Sequence, residues 1–364
     1  MRRSPALLLL LILSVPARSQ TDQNIISRQG SVSITPVYQS WTGKNAGFSF
    51  SEFSTTIAAY VPFGRDASLS LGGGGAASGG DVSKLSGLTD VQLGMNYYLE
   101  PANTVFSLGV NAPTGKKELT HDQFTTSILF SHPLFNMQVP VWGQGLNLNP
   151  GVSWVFPAND NLVLGVAAAY QYRGKYKPID GGGFYAPGGE ITGSLGVDYR
   201  LNDAQSLSGD FMVTSYGTDK YNDVEVFASG NSYWLNLQYR QFFHENVLEV
   251  IAGYRSTSKG KEAGVGGLVS EAERLEPGRF EAYGDFKQVF NPRFSVSYLA
   301  EVRVYENTPE AFSGSKVVGV GAAPTFSLPS GFYFPAMLKV DFGNLKGGGS
   351  VTGVDARIGV GHTF

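Results

Sequence analysis

The C-terminal stretch 351–364 constrains the fold of this chain more than any other part of its sequence. Successive side chains on a β-strand point to opposite faces. In this stretch, one set of alternate positions is mostly apolar, and the positions between them are small or charged. The pattern predicts a strand whose two faces meet different surroundings. The apolar set is Val354, Ala356, Ile358, Val360, His362 and Phe364, and the other set is Gly353, Asp355, Arg357, Gly359, Gly361 and Thr363.

The apolar face of this strand runs to the terminal Phe364. A transmembrane β-barrel can end on such a strand, with its apolar side chains toward lipid. The segment resembles the terminal strand of bacterial outer-membrane proteins, although His362 departs from the aromatic or aliphatic residue that is usual there. The resemblance implies that the barrel-assembly machinery recognises this strand and is a partner of the protein.

The N-terminus has the pattern of a secretory signal peptide. Two arginines precede the apolar run 6–15, and Ala17 and Ser19 then supply small residues at the two positions that a signal peptidase reads. We predict a signal peptide over residues 1–19 and a short periplasmic lead over residues 20–30. A retained anchor is the alternative, but the apolar run is shorter than the roughly 20 residues that a membrane-spanning helix needs.

The composition excludes several classes of function. The chain has no Cys, which excludes disulfides, thiol chemistry and zinc clusters built on cysteine. A formal net charge of −3, without a cluster of Lys or Arg, gives no surface for nucleic acid. The 47 Gly, 18 Tyr and 24 Phe suit a sheet with close turns and interfacial aromatic side chains.

From Ser31 onward, the chain repeats a unit of two alternating segments joined by a tight polar turn and followed by a longer connection. Short turns at one end and long loops at the other are typical of outer-membrane barrels. We predict an all-β fold, a transmembrane antiparallel β-barrel of about 16 strands, with 14 or 18 as alternatives. Residues 31–364 would form it as a single domain, and an even number of strands would return Phe364 to the side where the first strand begins.

The apolar faces of the predicted strands need a cover. No segment reads as an amphipathic helix that could provide it, so lipid is the expected cover. The sequence therefore predicts a protein of the outer membrane of a Gram-negative-type bacterium, with outer-membrane lipid as a partner.

One long connection, residues 113–142, is here called the third loop. It has too much apolar surface for a loop in water. Its segment 123–133 alternates like a strand, but an extra strand without a partner would break the even count, so we assign the segment to the loop. We expect the loop to fold into the barrel mouth, bind an apolar solute or touch a partner. A constriction or plug without a ligand is the alternative. The residues predicted to receive solutes are Phe130, Leu134, Phe135, Met137 and Trp142.

Five pairs of opposite charges lie two residues apart, so both members of each pair share one strand face, about 7 Å apart along the strand. Arg or Lys at the bilayer midplane costs on the order of 2–4 kcal/mol, which assigns this face to the lumen. Both signs occur in similar number, which argues against a strongly ion-selective pore. The pairs hold the wall together or contact solutes. They are Asp198/Arg200, Asp285/Lys287, Glu301/Arg303, Lys339/Asp341 and Asp355/Arg357.

Four consecutive glycines, Gly72, Gly73, Gly74 and Gly75, fall in the predicted third strand. Glycine inside a strand marks a bend, a bulge or weakened pairing. We predict that the run interrupts the strand. A lateral opening of the barrel wall is the functional interpretation, and a flexible loop is the alternative.

The sequence predicts no enzyme activity. The four His residues are scattered, and His132, although it follows Ser131, would point to the opposite face of a strand. No acidic cluster has the spacing of a known calcium loop. We therefore predict no catalytic site, no metal and no cofactor.

Two short stretches resemble a known family. Residues 87–94, Gly-Leu-Thr-Asp-Val-Gln-Leu-Gly, resemble the "G-L-x-D…L-G" strand of the outer-membrane family linked to the meta pathway of phenol degradation. Residues 111–115, Asn-Ala-Pro-Thr-Gly, resemble the "P-T-G" strand end of the same family, which is related in architecture to the long-chain fatty acid and toluene transporters. The resemblance implies diffusion of hydrophobic or aromatic compounds through the barrel and supplies no ligand residues.

The hypothesis from the sequence is an outer-membrane channel for passive uptake of small hydrophobic or aromatic compounds. Small hydrophobic solutes are then partners of the protein. The alternatives are a general porin for small hydrophilic solutes and a structural or adhesive surface barrel.

Overall fold

The computed structural model of the protein describes residues 27–44, 47–346 and 349–364. The predicted signal peptide, 1–19, and most of the predicted lead, 20–30, lie outside the described residues, so both stay predictions. Strands dominate the described chain, accompanied by one α-helix, α1 (His121–Phe130), and one 3-10 turn, Glu100–Ala102. Within these described ranges, no helix is long and apolar enough to cross a membrane.

Sixteen antiparallel strands form the wall of a closed barrel. Each strand pairs with its neighbours in chain order, and the last pairs with the first, where Ser31 lies opposite Thr363. The predicted transmembrane β-barrel is confirmed, with 16 strands and not 14 or 18. The strands are β1 (Ser31–Gly43), β2 (Phe48–Phe63), β3 (Ala67–Gly80), β4 (Val91–Leu99, preceded by the short piece Ser86–Leu88), β5 (Thr104–Ala112), β6 (Asn147–Asn159), β7 (Leu162–Arg173), β8 (Glu190–Asn202), β9 (Gln205–Tyr216), β10 (Ser232–Phe243), β11 (Asn246–Thr257), β12 (Arg279–Asn291), β13 (Phe294–Tyr305), β14 (Lys316–Ser327), β15 (Phe332–Asn344) and β16 (Ser350–Ile358, continued by Val360–Thr363).

Large apolar side chains cover the outer face of the barrel. On β2, Phe53 is exposed on this face, whereas its chain neighbours Glu52 and Ser54 are buried on the inner side. The same alternation occurs on β15, where Leu338 is exposed and Lys339 is buried. Apolar rows that ring a closed barrel require lipid as their cover.

The two ends of the barrel differ as the sequence predicts. At one end, here called the turn end, short turns such as 203–204 and 244–245 join neighbouring strands. At the other end, here called the loop end, the connections are longer, and three of them build a small five-stranded sheet. The strands of that sheet are Tyr185–Ala186, Thr218–Tyr221, Val224–Ala228, Lys261–Gly264 and Gly267–Ser270.

The third loop, residues 113–146, contains α1, so the segment 123–133 lies in the loop as predicted, and its strand-like alternation over 123–130 belongs to a helix. A capping box begins the helix. The Thr120 hydroxyl accepts the backbone N–H of Gln123, and the Gln123 side chain accepts the N–H of Thr120. These two bonds satisfy backbone donors that an extended chain would leave to water, and the helix then buries Phe124 and Phe130.

The glycine run does not interrupt β3, so that prediction is wrong. The strand continues from Ala67 to Gly80, and every residue of the run pairs with β2. Pairing with β4 is different, because it skips Gly73 and Gly74. There the chain bulges at Thr89, whose N–H donates to the carbonyl of Gly74 at 2.9 Å. A lateral opening at this place stays a prediction. The paired glycines are Gly72, Gly73, Gly74 and Gly75, opposite Ala58, Ile57, Thr56 and Thr55.

Candidate functional site in the barrel lumen

The third loop folds into the barrel and packs against one part of the inner wall. Its Phe135 and Trp142 are each 1% exposed. The Phe135 ring lies 4.9 Å from the Phe50 ring of β2 and 5.6 Å from the Trp41 ring of β1, both in edge-to-face contact. Such aromatic pairs contribute about 0.5–1.5 kcal/mol each beyond the burial of their area. The loop is therefore a packed part of the barrel interior.

All five residues predicted to receive solutes belong to this buried cluster. Even Met137, the most exposed of them, is only 5% exposed. Side chains from β3, β13, β14 and β16 complete the wall side of the cluster. The loop turns its apolar side chains to the wall and narrows the lumen, and none of the five faces the water of the lumen. The five are Phe130, Leu134, Phe135, Met137 and Trp142, and the wall residues include Ala76, Tyr305, Val317 and Val351.

Polar side chains of the wall hold the backbone in the middle of the third loop. The Trp41 indole N–H donates to the carbonyl of Phe135 at 2.9 Å. Nη1 of Arg303 donates to the carbonyl of Leu134 at 2.6 Å. A buried carbonyl without a partner would be costly, so these bonds let the loop enter the barrel without losing its hydrogen bonds.

Two further anchors come from β1 and β2. Glu52 is fully buried, and its Oε1 accepts the N–H of Val139 at 2.9 Å. The Gln39 amide accepts the N–H of Gln138 at 2.5 Å and donates to the carbonyl of Asn136 at 3.1 Å. Wall side chains thus bind successive peptide groups of the loop.

A network of charges lies beside these anchors. Nε of Arg303 is 2.8 Å from Oε1 of Glu301, and Nζ of Lys339 is 2.5 Å from Oε2 of Glu301. Asp341 lies 3.6 Å from Arg303 and 3.5 Å from Lys339. Glu301 and Lys339 belong to β13 and β15, so their bridge crosses β14. Gly319 on β14 leaves space for this bridge, because a Cβ there would lie 2.3 Å from Oδ1 of Asp341.

Three of the five predicted charge pairs form ion pairs, and all three lie on this side of the barrel. The third is Asp355/Arg357, with 2.6 Å between Oδ2 and Nη2. Gln39 also donates to Asp355 at 3.0 Å, which joins this pair to the anchors of the loop. We call the inner face from β13 through β16 to β3 the covered wall. The other two paired sets are Glu301/Arg303 and Lys339/Asp341.

The remaining two predicted pairs lie on β8 and β12, and in the part of the chain that the structure describes neither forms an ion pair. The Arg200 guanidinium instead donates to the side chain of Asn161 at 3.2 Å. Asp198 and Lys287 are exposed on the inner side of the barrel. We call the inner face of β8 to β12 the open wall. The two unpaired sets are Asp198/Arg200 and Asp285/Lys287.

The two motif stretches meet at the buried Asp90, just before β4. Its carboxylate accepts the N–H groups of Gly115 and Gln144, each at 2.8 Å, and the Asn111 side-chain amide at 3.1 Å. The Thr114 hydroxyl accepts the first backbone N–H of β4 at 2.9 Å. The stretches 87–94 and 111–115 therefore join β4 and β5 to the third loop.

Three side chains that hold the third loop were not predicted from the sequence: Gln39, Trp41 and Glu52. All three lie on the inner faces of β1 and β2, where alternation with apolar outer residues places them. Glu52 carried a readable signal, because it is the one charged residue within the two strands. An isolated carboxylate on an inner face needs a donor, here the N–H of Val139.

At the loop end, above the open wall, side chains of neighbouring loops bind one another. The Tyr185 hydroxyl donates to the Asp219 carboxylate, and burial, with Asp219 beside it, raises the pKa of Tyr185. Lys175 lies 2.9 Å from Asp223, and its hydrogen bond lowers the pKa of the Asp223 carboxyl. A polar cavity of about 550 Å³ opens between loops 217–231 and 258–278.

The closed wall, the apolar outer face and the charged lumen define the class of this protein as a transmembrane β-barrel. No model of a known protein family matches the chain, and no curated protein matches it. Solved barrels resemble it in overall shape. Acinetobacter baumannii OccAB4 has a TM-score of 0.49 at 7% identity, covering 94% of this chain and 100% of that chain.

Two more solved structures are similar to the same degree. The outer membrane protein OpdK from Pseudomonas aeruginosa has a TM-score of 0.48 at 8% identity, covering 92% of this chain and 98% of that chain. The CymD monoaromatic hydrocarbon channel has a TM-score of 0.48 at 10% identity, covering 93% and 89%. These values place the chain in no family, so the class rests on the barrel itself, and the meta-pathway family stays a resemblance.

Proposed function

We propose that the protein is an outer-membrane channel through which small solutes diffuse passively, and that its lumen favours hydrophilic solutes. The open wall carries this proposal. Asp198, Asp210 and Lys287 point inward and are exposed there. Charged side chains that keep contact with water indicate a water-filled path along this wall, because burial without partners would be costly. The third loop narrows that path from the opposite side.

Uptake of small hydrophobic or aromatic compounds is the second candidate. Ile128 and Leu146 of the third loop favour it, since they are 38% and 41% exposed beside the buried cluster. On this proposal, movement of the loop would let Phe130, Leu134, Phe135, Met137 and Trp142 receive the solute. The exit into the membrane would be at Gly72, Gly73, Gly74 and Gly75, where pairing with β4 is incomplete.

Planar-bilayer recording and liposome uptake test the two candidates together. The purified barrel should give steady single-channel conductance and should admit neutral sugars into liposomes in order of size. No conductance, with rapid uptake of an aromatic tracer, would favour the second candidate. Neither conductance nor uptake would leave a structural or adhesive barrel that displays its loops.

A double variant of the loop tests its place in the path. Phe135→Ser with Trp142→Ser removes burial worth roughly 1.5–3 kcal/mol per side chain, so the loop should leave the wall more often. Conductance should change while the barrel still assembles. Ile128→Ser with Leu146→Ser is the matched control, because these exposed side chains contribute little to packing. If only the control pair slows an aromatic tracer, the hydrophobic route gains support.

Outer-membrane location and recognition of β16 by the barrel-assembly machinery belong to the same proposal. Phe364 supports it, since its backbone exchanges hydrogen bonds of 2.9 and 3.0 Å with Gly30 and ends the wall. Deleting Phe364 should lower the amount of heat-modifiable barrel in isolated outer membranes. Unchanged assembly would count against recognition through this residue.

A further inference from the structure

Asp90 contacts both ends of the third loop. Gly115 lies near the beginning of the loop and Gln144 near its end, and both donate their backbone N–H to the Asp90 carboxylate at 2.8 Å. Asn111 of β5 adds a third bond at 3.1 Å. A buried carboxylate needs such donors, and hydrogen bonds to an ionised acceptor are stronger than neutral ones.

The two ends of the loop cross tightly at this point. A Cβ on Gly115 would lie 2.1 Å from the carbonyl oxygen of Trp142, and one on Gly143 would lie 2.8 Å from the carbonyl carbon of Gly115. Only glycine permits this approach at both positions. The crossing brings both N–H groups to one carboxylate, so separation of the ends would take at least one of them away.

Asp90 is itself fixed to the barrel wall. It follows Thr89, whose N–H donates to the carbonyl of Gly74 on β3 at 2.9 Å. It precedes Val91, whose N–H donates to the Thr114 hydroxyl at 2.9 Å. The carboxylate therefore ties the loop to β3 and β4 and does not only tie the loop to itself.

We propose that Asp90 is the positioning residue of the third loop, which keeps both loop ends at the wall and so sets how far the loop narrows the lumen. This inference rests on the proposed channel function. Trp41 and Arg303 bind the middle of the loop, and Asp90 binds its ends. Loss of the carboxylate lets the loop leave the wall more often while the barrel strands stay paired.

A single cysteine reports on the loop directly, because the chain has no Cys of its own. Met137→Cys puts a thiol at a position that is 5% exposed, so a charged, membrane-impermeant thiol reagent should label it slowly. Adding Asp90→Asn should speed labelling about ten-fold. The amide has only one acceptor oxygen, and its NH2 group would face N–H donors that need an acceptor. Single-channel conductance should rise in the same variant.

Asp81→Asn is the matched control. Asp81 also accepts a backbone N–H, that of Ser49 at 2.9 Å, in the same connection between β3 and β4. Labelling of Met137→Cys and conductance should be unchanged in this control. Acceleration equal to that of Asp90→Asn would overturn the proposal, because the effect would then be a general loosening of the connection.

Equal labelling rates with Asp90 and with Asn at that position would also overturn it. If Asp90→Asn does not assemble, Asn111→Ala removes one of the three bonds and should give a smaller acceleration. No acceleration in that variant would count equally against the proposal. A wild-type barrel that does not conduct would overturn the channel function, and labelling would still decide the role of Asp90, so the two failures are distinguishable.

Discussion

The covered wall and the open wall are built from the same kind of strand, yet their charged side chains behave differently. On the covered wall, the side chain of Arg303 is 2% exposed and contacts Glu301 and Asp341. On the open wall, the side chains of Arg240 and Glu249 are 15% and 26% exposed, although they lie 2.6 Å apart. The three predicted pairs of the covered wall form ion pairs and the two predicted pairs of the open wall do not, but Arg279 and Glu281 of β12 also pair along their strand, at 2.7 Å.

This difference shows that spacing in the sequence does not by itself decide which charges pair. A charge taken out of water needs a partner of opposite sign, whereas a charge in water gains little from one. The third loop takes charges out of water along the covered wall. It therefore acts on the electrostatics of the wall as well as on the width of the path.

Removal of an arginine should have the largest effect on the free energy of unfolding, and the size of the effect should differ between the two walls. Arg303→Ala leaves Glu301 and Asp341 to share Lys339 and removes the donor to the buried carbonyl of Leu134, so we expect a loss of about 3–5 kcal/mol in the free energy of unfolding. Arg240→Ala is the match on the open wall and should cost at most about 1 kcal/mol, because Glu249 remains hydrated. Urea unfolding in lipid vesicles, followed by tryptophan fluorescence, measures both. Equal losses of unfolding free energy in the two variants would show that the charges of the two walls do not differ in this way.

Closing the gap over β14 should have an intermediate effect. Gly319→Ala puts a Cβ 2.3 Å from Oδ1 of Asp341 and obstructs the bridge between Glu301 and Lys339. Overpacking of this kind costs about 1–3 kcal/mol. Gly284→Ala on β12 is the control, since a Cβ there meets nothing within 4 Å, and it should stay within about 0.5 kcal/mol of the wild type. The same urea titration would contradict the prediction if both variants unfolded alike.

Acid should have the smallest effect, confined to the loop end. The Tyr254 hydroxyl donates to Glu306 at 2.5 Å, and this bond, with Arg274 nearby, lowers the pKa of the Glu306 carboxyl. A lowered pKa in the folded state stabilises the fold above the ordinary value of about 4.3, and this stabilisation is lost as the pH falls through the lowered value. Loops 258–278 and 306–315 should therefore separate only in acid.

Limited proteolysis of the reconstituted barrel checks this by comparing an acid-active protease at about pH 5 and about pH 3. Cutting in loop 258–278 should increase at the lower pH. Glu306→Gln should be cut readily at both values, because its amide does not titrate. A wild type that resists cutting at both values would show that Glu306 does not hold the loops together.

The barrel was readable from the sequence because its signal is local. Alternation on strands such as β10, where Tyr233 and Leu235 alternate with Trp234 and Asn236, needs only a few neighbouring residues. Turn residues between the strands are equally local. These signals were sufficient for the closed barrel and its strand number.

Local signals failed for α1. Phe124, Thr126, Ile128 and Phe130 repeat with a period of two, which hid the helical spacing of Phe124, Ser127 and Phe130. The signal that would have predicted the helix is also local: Thr120 and Gln123 have the spacing of a capping box.

The packing of the third loop was beyond the reach of the sequence for another reason. The apolar content of the loop required a cover, but the wall side chains that cover it and bind its backbone, such as Trp41, Phe50 and Arg303, lie far from the loop in the chain. No pattern along the chain expresses that arrangement.

The third loop also lies behind the seam where the barrel closes. Trp41 of β1 and Val351 of β16 share its buried cluster, and Trp41 lies across the seam, since a Cβ on Gly353 would be 2.8 Å from its ring. The seam joins the most distant strands of the wall, as the pairing of Ser31 with Thr363 shows, so its closure carries the largest entropy cost. A cluster that is complete only when both strands are present favours the joined state. The loop thus holds β1 and β16 together from inside the barrel. We expect the seam to form late in folding and to reopen slowly.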